Sequence, residues 1–137
     1  MSSKTVFRFF ALSVLFVSSP AGFAFGVGHH GGIILNCTPP LFFDESPGKD
    51  ASVPMLEEFS FVASDNTDRD TIKVWANNQP IAVEITELRS GRLMVKGHLP
   101  EIATSGRVWL KVTGYSDDGC DQLHNWNVYL KARQEKE

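Results

Sequence analysis

His29 and His30 stand side by side in a glycine-rich frame, Gly26 to Gly32, just behind an apolar N-terminal run. Imidazole nitrogens suit Cu(II), Zn(II) and Ni(II), and flexible glycines let two rings adapt to one ion. Cleavage after Gly26 would sharpen the site by leaving Val27-Gly28-His29 at a new N-terminus. A free amine, two amide nitrogens and a third-position imidazole then make a square-planar Cu(II) or Ni(II) chelate. The pattern leaves Cu(II), Zn(II) and Ni(II) open. The competing reading is a polar linker whose histidines bind nothing.

Other residues add weaker chemistry. His124 follows Asp117, Asp118 and Asp121, so Asp118 and His124 are candidate further metal ligands. Otherwise His124 is a solvated loop histidine or a pH-sensitive group. His98 stands alone beside a turn and reads as a surface residue. Asp65, Asp68 and Asp70 offer carboxylates of the kind Ca²⁺ takes, without the spacing of a Ca²⁺ loop. An acidic hairpin tip is the alternative there. Trp75 and Trp109 fall on the polar sides of their segments. They form either an outward platform for a protein or glycan partner or a buried pair against Phe42-Phe43.

Catalysis finds little footing. The chain has no Gly-x-Ser-x-Gly, no His-Glu-x-x-His and no phosphate-cradling glycine loop. Glu57 and Glu58 sit next to each other on an extended segment, point to opposite faces, and make poor acid/base partners. The expectation is a protein that is not an enzyme.

The elements that must position these residues begin with an export signal. Lys4 and Arg8, the apolar run Phe9 to Val17 and the small residues up to Ala24 have the three-part layout of one. Residues 1–24 are read as signal peptide and the protein as exported, periplasmic or extracellular. The apolar run is shorter than the roughly 20 residues a membrane span needs. Removing 24 of the 137 residues leaves 113, one domain's worth. Lys4 and Arg8 would leave with the signal, so thirteen cations become eleven against sixteen acids, a net charge of −5. Such a surface argues against nucleic acid and anionic membranes as partners.

Cys37 and Cys120 are the only two cysteines. In an exported chain an even count points to a disulfide. A bridge closing so long a loop is worth about 4.5 kcal/mol in the chain-entropy model. Free thiols or a metal role are the alternatives.

Residues 25–35 read as a flexible segment rich in Gly and His that runs into a first strand at Ile33-Ile34-Leu35. Residues 36–131 carry the domain, and 132–137 form a charged tail. Period-two alternation marks the half-buried strands. Phe59, Phe61 and Ala63 share one face, as do Ile72, Val74 and Ala76. The same holds for Ile81, Val83 and Ile85, for Leu93 and Val95, for Val108, Leu110 and Val112, and for Trp126, Val128 and Leu130. Residues 44–54, 99–106 and 116–124 read as loops. About seven strands at spacings near ten residues suggest an all-β, antiparallel, Ig-like sandwich.

Two resemblances follow. The run Leu56 to Asp65, ending in Ala63-Ser64-Asp65, with Asp70 to Asn77 after it, resembles bacterial Ig-like modules. Val108 to Val112, Asp118-Gly119 and Trp126 to Leu130 are similar to that module's last strands. This resemblance implies a sandwich with an adhesive or scaffolding role. A second resemblance is to periplasmic CopC-like copper-binding proteins. It is carried by Ser116-Asp117-Asp118-Gly119, with Cys120 standing where that family has a histidine and Phe25, not a histidine, following Ala24. It implies copper binding through the N-terminal histidines with Asp118 and His124. The functional expectation is thus an exported, non-catalytic binding or structural module. The alternative is a periplasmic copper-binding protein or carrier.

Overall fold

Wherever the sequence alternates with period two, the backbone is extended. The computed structural model describes residues 36–132. These form nine strands, numbered here in chain order: β1 (Phe42–Ser46), β2 (Ala51–Val53), β3 (Leu56–Ala63), β4 (Lys73–Ala76), β5 (Gln79–Ile81), β6 (Val83–Glu87), β7 (Leu93–Ala103), β8 (Gly106–Tyr115) and β9 (Asp121–Leu130). One 3-10 turn, Arg69–Thr71, interrupts them. The signal segment, residues 25–35 with His29 and His30, the strand expected at Ile33–Leu35 and most of the charged tail lie outside the described residues. Among the described residues no helix is long and apolar enough to cross a membrane.

The strands make two sheets, in the orders β1-β3-β7-β6 and β2-β9-β8-β4-β5. The protein is therefore an all-β sandwich. Every pairing is antiparallel except one: β2 runs parallel to β9, with Ala51 opposite Val128 and Val53 opposite Leu130. That strand was expected to be part of a polar loop. Three residues with a partner distant in the chain carry no local period, so nothing in the sequence marks them. β1 and β2 lie in different sheets, and residues 42–53 thus strap one side of the sandwich. Residues 99–103, also expected in a loop, extend β7 to Ala103. Cys37 precedes β1 in irregular chain.

Each strand turns its apolar side into the space between the sheets. Phe59, Phe61 and Val95 come from the four-stranded sheet, and Leu110, Val112, Trp126 and Val128 from the other. Trp126 is 1% exposed and sits at the centre. The rings of Phe61 and Phe59 meet it edge-on at 5.9 and 6.2 Å, the arrangement that ring quadrupoles favour. Its indole N–H donates to the Pro47 carbonyl at 3.2 Å, so the buried polar end is satisfied.

Local chemistry ends the strands. Asn77 and Asn78 both have positive φ, 46° and 65°, which a two-residue type I′ hairpin between β4 and β5 requires. Pro80 lies in β5, an edge strand, where its missing N–H leaves no ladder bond unmade. Asp68 caps the 3-10 turn by accepting from the Asp70 amide at 3.1 Å. The acidic tip at 65–70 is thus built around a cap, the structural use of Asp that its sequence position allows.

Candidate functional site

Two surfaces gather the chemistry expected from the sequence. The first is the end of the sandwich where Cys37 and Cys120 form a disulfide, their Cα atoms 5.5 Å apart. The bridge joins the segment before β1 to the β8–β9 turn. Hydrogen bonds reinforce it. The Asn66 side chain donates to the Thr38 carbonyl at 2.9 Å, the Asp117 amide donates to the Asn66 carbonyl at 2.8 Å, and the Cys120 amide donates to the Ser116 hydroxyl at 3.0 Å. Asp118 belongs to this network. Its carboxylate accepts from the Ser116 hydroxyl and from the Thr38 amide, the latter at 3.2 Å. The Ser116 bond first, and the Thr38 bond after it, hold the carboxyl below its ordinary pKa of 3.8.

His124 is not the loop histidine that its acidic neighbours suggested. It lies within β9, two residues before Trp126 and on the same inward side. Its ring is tilted against Trp126, with centroids 5.7 Å apart. Its Nε2 meets the Glu45 carboxylate from β1, which pins the two sheets together at their margin. The side chains are 31% and 18% exposed. The carboxylate at His124 therefore comes from 79 residues away rather than from Asp117, Asp118 or Asp121. No sequence signal singles out Glu45, because only sheet packing brings it there. His98 is exposed as expected, 3.8 Å from Glu58 on the neighbouring strand.

The second surface is the outer face of the five-stranded sheet. Trp75 pairs across strands with Lys111, and Trp109 lies two residues before Lys111 on β8. The Lys111 ammonium stands 4.4 Å from the centre of the Trp75 ring and 5.6 Å from that of Trp109, a cation shared by two rings. Both tryptophans are half-buried on this face. Phe42 faces the core against Phe61, and Phe43 lies under the Arg92 guanidinium. Both phenylalanines belong to the other sheet, so neither tryptophan is buried against them. Tyr115, Leu123 and Tyr129 share the outer face and are exposed. The Trp109 backbone is fixed from both sides by Asn77, which donates its amide to the Trp109 carbonyl and accepts the Trp109 amide on its side-chain oxygen, each at 2.9 Å. Strand parity placed the tryptophans outward, and the same parity places Lys111 beside them.

No protein-family model matches the chain, and no curated protein matches its sequence. Solved structures do match its fold. PcoC, a methionine-rich copper resistance protein from Escherichia coli, superposes with a TM-score of 0.52 at 18% identity, over 69% of this chain and 100% of that one. CopC from Methylosinus trichosporium OB3b superposes with a TM-score of 0.55 at 12% identity, over 72% of this chain and 99% of that one. The likeness is one of fold; it agrees with the CopC-like resemblance read from the sequence and does not confirm the one to bacterial Ig-like modules.

Proposed function

We propose that this protein is an exported, non-catalytic copper-binding protein, with the ion as cargo held chiefly by His29 and His30. The observation that supports the reading best is the shared fold with PcoC over that protein's entire length, since PcoC is described as a copper resistance protein. The histidine pair supplies donors that Cu(II) favours. The sandwich adds little by itself. Among the described residues no group of three or more His, Cys, Asp or Glu side chains is placed to hold an ion. Asp118 is engaged by Ser116 and Thr38, and the Nε2 of His124 by Glu45. The basic and apolar N-terminal segment fits an exported chain, and its point of removal sets whether His29 joins an amine-and-amide chelate.

The test pairs two measurements. Mass spectrometry of the secreted protein establishes its first residue. Cu(II) titration of that protein is then expected to raise a visible absorption band, with a Kd below about 1 μM. Replacing His29 and His30 together by Ala abolishes both, whereas His124→Ala leaves most of the affinity. Unchanged absorption and no affinity tighter than micromolar would end the reading.

A second reading, a binding module for a protein or glycan, is favoured by the Trp75–Lys111–Trp109 cluster on an open sheet face. If a Trp109→Ala protein still captures every partner that the native one captures from its host, that surface plays no such part.

A further inference from the structure

A groove of about 550 Å³ crosses the outer face of the five-stranded sheet, with Trp75, Tyr115 and Leu123 among its apolar walls and Lys73, Asp70 and Asp121 among its polar ones. Its size is that of a small-ligand site. We propose that this groove binds a neutral saccharide. The inference is independent of copper and rests on the binding-module reading, to which it assigns a ligand class.

The surroundings narrow the ligand. The groove overlies β4, β8 and the start of β9; β8 is paired on both sides there, whereas β9 meets β2 only at Val128–Leu130. A peptide strand adds at an edge, in the plane of a sheet, whereas this groove overlies the outer face and is walled by side chains. Recognition must pass through side chains. Two carboxylates against one ammonium on the polar walls disfavour an anionic ligand, and the hydration of these groups disfavours a purely apolar one. Among the described residues neither the Asp70 nor the Asp121 carboxylate takes part in a hydrogen bond or an ion pair, so both are free to accept from hydroxyls. A sugar ring presents an apolar face bordered by hydroxyls. Flat aromatic walls with acceptors at their edges match that pattern.

The frame is rigid. Lys111 holds the Trp75 ring in place. The Thr71 hydroxyl donates to the Asp68 carbonyl at 2.7 Å and accepts from the Tyr115 amide at 2.9 Å. That pair of bonds seats the 3-10 turn carrying Asp70 against the end of β8. Tyr115 and Asp121 face each other across the β8–β9 pair. Aromatic wall and acceptor therefore keep a set spacing before any ligand arrives, which lowers the ordering cost of binding.

The test titrates the full mature chain with cellohexaose, chitohexaose and maltohexaose, following tryptophan fluorescence and heat. At least one is expected to give a saturable change with a Kd at or below about 1 mM. Tyr115→Ala and Asp121→Asn alter exposed side chains and leave the fold intact, as an unchanged melting temperature would verify. Each is expected to weaken binding at least tenfold, and Lys96→Ala, on the opposite sheet, is expected to leave it unchanged. No saturable signal with any of the three sugars up to about 10 mM, or equal binding by both groove variants, overturns the proposal. If the sugars fail while Trp109→Ala still loses a native partner, the binding-module reading survives and only the saccharide is excluded.

Discussion

Asp118 accepts hydrogen bonds from the Ser116 hydroxyl and the Thr38 amide, and both favour its ionised form. Its folded pKa therefore lies below the ordinary 3.8. A carboxyl depressed on folding adds stability that is present above its unfolded pKa and is lost as pH falls through its folded one. Metal-free Asp118→Asn protein is accordingly expected to be less stable than the native protein at pH 6. The gap should close below about pH 3.8, as urea unfolding at several pH values would measure. A gap that persists unchanged to pH 2 would mean that the carboxylate's charge is not what matters. Asp118 itself stood out in the sequence, beside a glycine and near a histidine. Its partners did not, because Thr38 lies 80 residues away.

Gly97 decides how closely β3 and β7 can pack around Phe59. The two residues are directly opposite each other across the pair. A Cβ at position 97 would stand 2.3 Å from Phe59 Cζ and under 3 Å from both Cε atoms. The ring is 1% exposed and is held by Trp126, so it cannot retreat. Gly97→Ala is expected to cost about 1–3 kcal/mol, as overpacked cores do. Urea denaturation should show a lower midpoint at an unchanged slope. A midpoint equal to that of the native protein would mean the strands separate freely. The inward set on β3, β4, β8 and β9 was legible as period two, because each of these strands is half-buried. β2 was not, since its pairing is parallel and made with the far end of the chain. The last residues of β7 were missed because Pro100 and Glu101 break the alternation.

Across the whole molecule, the Cys37–Cys120 bridge spans 83 positions and ties the start of the described chain to the last hairpin. Constraint of so long a loop predicts a loss of about 2–4.5 kcal/mol when both cysteines become serine. Chemical unfolding with and without reductant should show the same difference. Alkylation without reductant is expected to label neither cysteine, and labelling of both would refute the bridge in solution. The two surfaces adjoin at the β8–β9 turn, where Tyr115 and Asp121 flank the segment from Ser116 to Cys120. The disulfide end holds Asp118, and the outer sheet face holds Trp75, Trp109 and the groove. Copper and saccharide experiments are told apart by their variants, His29 and His30 for the first and Tyr115 and Asp121 for the second.

The sequence by itself determined the class of fold, the inward faces of most strands and the cysteine pair. Each of these follows from local alternation, or from a count with only one solution within the chain. It also set out His29 and His30 as candidate copper ligands by type and spacing. Only the tertiary structure decided which side chains meet. His124 finds Glu45, Lys111 lies over two tryptophans, and Trp75 and Tyr115 wall one groove because sheets pack residues that are far apart in the chain. Such contacts depend on register and on which sheet a strand joins, and a strand's own residues encode neither.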